Sequence, residues 1–177
     1  MVYEPEEDSY FLKSFVDKLA RGRVLDMGTG SGLHAIAAAK REDVESVLAA
    51  DIDQQAILSL SKQKLSKKIS CAQSNLFSSV KGKFDTIIFN PPYLPDDETD
   101  ADLALDGGEK GHEIIERFLK EAKSHLSKDG FILLLFSSRT GKEEVDTIIK
   151  KENYSSELLG KESLPFFEEL YVYRLSI

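Results

Sequence analysis

Four polar residues each close an apolar, strand-like run: Asp26, Asp51, Asn75 and Asn90. Asp26 opens the glycine turn Asp26-Met27-Gly28-Thr29-Gly30-Ser31-Gly32. Glycine permits tight turns and close backbone approach to a ligand. The spacing is G-x-G-x-G, one residue short of the pyrophosphate-binding G-x-G-x-x-G. A carboxylate beside the turn suits a cationic ligand group better than a pyrophosphate; a strand-to-helix turn without a ligand is the alternative. Asp51, roughly 20 residues on, can accept both hydroxyls of a ribose. Asp53 reads instead as the cap of the next helix. Asn75 can meet an adenine edge, with Leu76 or Phe77 against the ring, or be a plain turn residue.

Asn90-Pro91-Pro92-Tyr93 is the sharpest pattern. Proline lacks an N–H and holds the preceding residue extended. Two in succession stiffen the chain and fix where the Asn90 side chain and the Pro91 carbonyl point. Both accept hydrogen bonds, and a planar NH2 group has two donors to give them. Tyr93 offers a flat face to cover a planar amide or a base. A rigid turn ending a strand is the plainer reading.

These residues need a scaffold that collects strand ends. Phe11, Leu12, Phe15, Val16 and Leu19 mark an amphipathic helix over 6–20. Strands are expected at 23–27, 46–50, 68–73, 84–90 and 131–137. Helices are expected at 31–41, 53–67, about 114–126 (Ile114, Ile115, Phe118, Leu119, Ala122, Leu126) and 141–151. Late strands at about 153–160 and 167–176 have no convincing helix between them, which predicts an antiparallel pair at a sheet edge. Strand-helix alternation followed by a hairpin predicts an α/β sandwich with a mostly parallel, seven-stranded sheet. Ligands of such sheets sit beyond the carboxyl ends of the strands, where Asp26, Asp51 and Asn90 lie.

The 177 residues suit a single domain, 1–177, with the N-terminal helix packed on it. Hydrophobic residues make up 41% and charged residues 31%, an ordinary globular mix. No apolar run approaches the roughly 20 residues of a membrane span. The acidic start, MVYEPEEDSY, reads as neither signal nor transit peptide, which predicts a cytoplasmic protein. One cysteine, Cys71, gives neither a disulfide framework nor a cysteine zinc site, and His34, His112 and His125 lack ligand spacing, so no metal is expected. Net charge is −8, which disfavours a protein built to grip phosphates. Lys62, Lys64, Lys67 and Lys68 read as the solvated end of a helix. The segment 96–109 carries seven acidic and no basic residues. It would repel nucleic acid and attract a basic protein domain.

The glycine turn, Asp51 and Asn90-Pro91-Pro92-Tyr93 together resemble class I S-adenosylmethionine-dependent methyltransferases with a Rossmann-like fold. The [N/D/S]-P-P-Y tetrapeptide resembles the branch that methylates planar nitrogens. Val2-Tyr3-Glu4-Pro5-Glu6-Glu7-Asp8-Ser9, Gly107-Gly108-Glu109-Lys110-Gly111 and Ile114-Ile115-Glu116-Arg117-Phe118-Leu119 narrow the resemblance to the short archaeal and eukaryotic HemK-like enzymes. Those enzymes methylate the glutamine amide in the Gly-Gly-Gln loop of class I translation release factors, and usually need a small zinc-binding activator subunit. The resemblance implies S-adenosylmethionine as cofactor. It implies Ser9, Asp26, Gly28 and Gly30 near the methionine moiety, Asp51 at the ribose, and Asn75 with Leu76 at the adenine. Asn90, Pro91, Pro92 and Tyr93 would hold the substrate amide, with Asn90 also bordering the cofactor. Two departures stand out: many relatives have Asp where this chain has Asn75, and the short forms often have Glu where it has Asp26. Other expectations remain open: methylation of an exocyclic amino group on a DNA or RNA base, a methyltransferase-like binding module, and an NAD-dependent oxidoreductase, which the glycine spacing disfavours.

Overall fold

A computed structural model of the chain describes residues 6–92 and 111–177. Tyr93, the acidic segment 96–109, Val2 to Pro5 and Gly107 to Lys110 lie outside the described residues. The chain alternates: α1 (Glu7–Leu19), β1 (Gly22–Met27), α2 (Leu33–Ala39), β2 (Val44–Asp51), α3 (Gln54–Ser61), β3 (Ile69–Gln73), β4 (Phe84–Phe89), α4 (Glu113–His125), β5 (Leu126–Ser137), α5 (Lys142–Lys151), β6 (Ser155–Ser163) and β7 (Glu169–Ser176). The seven strands form one sheet in the order β3-β2-β1-β4-β5-β7-β6. β1 to β5 are parallel, while β7 runs antiparallel to both β5 and β6.

Side chains alternate across each strand, so the sheet divides the apolar residues into two layers. On β5, Ile132, Leu134 and Phe136 join the layer covered by α4 and α5. Phe131, Leu133 and Leu135 join the layer covered by α1, α2 and α3. α4 commits Ile115, Phe118, Leu119 and Ala122 to its buried stripe, at spacings of three and four. α1 commits Leu12 and Val16, and packs on α2 and β5.

Several elements differ in extent from the sequence expectation, and three of the differences have a local cause. α3 stops at Ser61, because the lysine-rich residues after it offer no apolar stripe to bury. α2 starts at Leu33, since Gly32 takes a left-handed φ of 83° and cannot extend the helix. β5 starts early, at Leu126. Phe84 pairs with Leu126 and Thr86 with Phe131, so the polar residues 127–130 bulge out of the ladder. The turn joining β6 to β7 is a short 3-10 segment, Pro165–Phe167. It is tied down by Arg139 to Glu168 (3.0 Å) and by the hydroxyl of Ser137 on Glu168.

Candidate active site

The topology delivers the polar residues to one edge. β3, β2, β1 and β4 are adjacent and parallel, so the residues leaving their carboxyl ends stand in a row: Asn75, Asp51, the glycine turn and Asn90. Three interstrand steps of about 4.8 Å make this row roughly 14 Å long. Gly28 and Asn75 are exposed, and Gly30, Asp51 and Asn90 are half-buried, so the row lies at the surface.

Asp26, on β1, lies just short of that row, with 1% of its surface exposed. Its Oδ2 accepts from the Thr29 hydroxyl (2.6 Å) and the Ala35 amide (3.0 Å). Its Oδ1 is buried without a hydrogen-bond partner, 3.8 Å from His34 Nδ1. Burial pushes the Asp26 carboxyl above its ordinary range, partly offset by His34 and by the two hydrogen bonds.

Gly28, Gly30 and Gly32 all have positive φ (67°, 50° and 83°). Gly32 also has no room for a side chain, since a Cβ would collide with Leu60. The Gly30 amide donates to Asp51 Oδ2 at 2.8 Å, and the Asp53 amide donates to Asp51 Oδ1 at 2.9 Å. Asp51 is thus held by the turn it faces, and each oxygen keeps a second lone pair for a ligand. Asp53 caps α3 by accepting from the Gln55 amide at 2.7 Å.

Past β3, Ser74 is buried and its hydroxyl donates to the Leu76 carbonyl at 2.6 Å. That bond helps hold Leu76 at a φ of 46°, buried beside the exposed Asn75. Arg117 donates to Asn75 Oδ1 at 3.4 Å. Phe77 turns away from the row into the core, with its ring 5.4 Å from Phe118 and 4.7 Å from His125. Leu76, 6% exposed, and Phe77, 5% exposed, are buried in the same apolar layer.

Asn90 leaves β4 with Pro91 buried behind it and Pro92 half-buried. Its Nδ2 donates to Asp8 Oδ2 at 2.9 Å, and Ser9 Oγ lies 3.5 Å away. Its Oδ1 is buried with no hydrogen-bond partner. Ser9 is buried, and its carbonyl accepts from His34 Nε2 at 3.0 Å. The first turn of α1 therefore touches both Asn90 and α2. Asp8 and His34 escaped the sequence reading. The signal for Asp8 was present: with Leu12 and Val16 it follows a spacing of four, so it lies on the apolar stripe of α1. Tyr93, the last residue of the tetrapeptide, lies outside the described residues. Among the described residues no three His, Cys, Asp or Glu side chains cluster as metal ligands would. Among them, too, no helix is long and apolar enough to cross a membrane.

Comparison with known proteins adds to this geometry. The methyltransferase small domain model matches residues 5–162. A Methanocaldococcus jannaschii protein, provisionally named a protein N5-glutamine methyltransferase, is 42% identical over 97% of this chain and 89% of its own. The release factor glutamine methyltransferase of Lactococcus lactis is 32% identical over 78% of this chain; the chain spans 55% of that longer relative. Among solved structures, the E. cuniculi Mtq2–Trm112 complex, responsible for methylation of the eRF1 translation termination factor, matches with a TM-score of 0.76. Identity there is 26%, over 98% of this chain and 97% of that one. With the family match running across most of its length, this chain belongs to the methyltransferase small domain family.

Proposed function

We propose that the protein transfers a methyl group from S-adenosylmethionine to the side-chain amide nitrogen of the glutamine in the Gly-Gly-Gln loop of a class I translation release factor. The observation that carries this reading is Asn90: a rigid strand exit presenting a buried amide oxygen that has no partner. An unsatisfied buried acceptor costs about 1–3 kcal/mol, and a substrate NH2 would relieve that cost. The names of the relatives supply the substrate class.

The residues present fit the cofactor. The row matches an elongated ligand with a nucleoside at one end and a small charged group at the other. Asn75 and Leu76 stand at the adenine end, and Asp51 offers free lone pairs to the ribose. Ser9, Asp26, Gly28 and Gly30 surround the methionine end, where the unpaired Asp26 oxygen favours a cation. When bound, the cofactor supplies a methyl group on a sulfonium, a good leaving group.

What the chain must supply is the nucleophile's position. An amide nitrogen delocalises its lone pair, so orientation matters more than basicity. Asn90 Oδ1 and the Pro91 carbonyl accept the two N–H groups and hold the nitrogen, and Pro92 stiffens the pair. Such positioning contributes several kcal/mol. Nitrogen acidifies as its new bond forms and releases its proton without a strong base.

We read the chain as one cytoplasmic methyltransferase domain. A small zinc-binding activator subunit would pair with it, as Trm112 pairs with Mtq2. The test is transfer of labelled methyl to the class I release factor, with that subunit present, beside a Gln→Ala version of the Gly-Gly-Gln loop and a duplex DNA control. Label in the wild-type factor alone is expected. Label in DNA, or in neither, would reject the reading. Asn90→Ala should cut turnover at least 100-fold while sparing cofactor affinity; turnover near wild type would remove Asn90 from the site.

A further inference from the structure

We propose that Asp8 is a positioning residue that sets which way the Asn90 amide faces, and through it the polarity of the substrate pocket; this rests on the reading of Asn90 above. An asparagine amide is nearly symmetric in shape, so sterics alone do not choose between its two flips. Asp8 does choose. A carboxylate has only acceptors, and Asp8 Oδ2 lies 2.9 Å from Asn90 Nδ2. The flipped amide would set oxygen against oxygen at that contact. It would also turn NH2 toward an incoming NH2 group, donor against donor. With Asp8 in place, Oδ1 is the atom left for the substrate, and it is the atom that is buried and unpaired.

The device is anchored. Asp8 is 4% exposed, at the head of a helix whose Leu12 and Val16 are fully buried. One residue on, the Ser9 carbonyl is held by His34 at 3.0 Å, and His34 belongs to α2, which follows the glycine turn. Asn90 is thereby referenced to the cofactor side of the site through α1.

The experiment is a reversal of hydrogen-bond polarity. Asp8→Asn removes the directional preference at constant volume. It is expected to lower kcat about 10- to 100-fold while the KM for each substrate stays within threefold. Asn90→Asp places two carboxylates together and should be worse. In the Asp8→Asn/Asn90→Asp double variant the new amide donates to one carboxylate oxygen and leaves the other to accept from substrate. It should recover at least tenfold over Asn90→Asp alone. A packing role for Asp8 would not produce that recovery. Wild-type kcat in Asp8→Asn, or a double variant no better than Asn90→Asp, overturns the proposal.

A second readout needs no turnover. In 15N-labelled protein the Asn90 side-chain NH2 resonances should move on Asp8→Asn, and unmoved resonances would also overturn it. If wild-type protein leaves the release factor unlabelled, the functional reading fails, while the NMR result still decides the Asp8 contact.

Discussion

Replacing Asp51 by asparagine exchanges one oxygen for an NH2 at constant volume. The native carboxylate holds the Gly30 amide at 2.8 Å and the Asp53 amide at 2.9 Å, one on each oxygen. A carboxamide has a single oxygen, so one of the two amides must face a donor. A hydrogen bond to a charged acceptor contributes about 1.5–3 kcal/mol, so a chain of this size should melt roughly 3–12 °C lower. The same exchange removes an acceptor from the ribose hydroxyls. On the same scale, affinity for S-adenosylmethionine should fall about 10- to 150-fold. Thermal unfolding without ligand reads the first effect, and titration calorimetry reads the second. A variant with native melting temperature and native affinity refutes the whole argument. A lower melting temperature with native affinity would leave Asp51 as a staple of the glycine turn and refute its ribose role.

Other perturbations test separate parts of the structure. Burial raises the Asp26 carboxyl above 3.8, so its contribution favours folding at low pH and is lost as pH rises from there through the raised value. Asp26→Asn keeps an acceptor for Thr29 and Ala35 and abolishes the buried charge. Its melting temperature relative to wild type should therefore climb as pH rises above 3.8 while cofactor affinity falls; a flat difference would contradict the raised carboxyl. Leu133 is fully buried at the centre of β5, so Leu133→Ala should cost about 2–5 kcal/mol in denaturant unfolding. A loss under about 1 kcal/mol would mean that layer repacks freely. Phe167 holds a φ of 62° with its ring wholly exposed. Phe167→Gly should thus raise stability by about 1 kcal/mol, and a decrease would show that the ring packs on something.

The site was legible wherever chemistry and punctuation coincide. Asp26, Asp51 and Asn90 each end an apolar strand and precede a glycine, a helix cap or a proline, so their place at the carboxyl edge followed from the fold class. Elements blurred where polarity broke a period. The bulge at residues 127–130 hid the first part of β5, and the lysines after Ser61 resembled a continuing helix. The terminal hairpin was recognisable as a pair. That β7 sits inside β6 follows from its denser apolar content: Leu170 to Tyr173 are all buried, whereas most of β6 is exposed. Asp8 and His34 were hidden for the opposite reason. Each is a polar residue in phase with an apolar stripe, where hydrophobic patterning counts it as noise. Only the three-dimensional meeting of α1, α2 and β4 explains why such residues are tolerated there.

The reversed direction of β7 has an architectural consequence. Leu170 pairs with Ser137 at the end of β5, so the turn between β6 and β7 comes back to the carboxyl edge of the sheet instead of leaving by the opposite one. That turn closes on itself, with the Leu164 amide bonded to the Glu168 carbonyl at 2.8 Å. Lengthening a closed turn is cheap, about 0.6 kcal/mol for each doubling. The loop at this end of the sheet can therefore grow, shrink or change composition without disturbing either apolar layer. The sheet keeps its candidate chemistry in one set of strand ends and leaves the hairpin tip, on the same edge, independently adjustable.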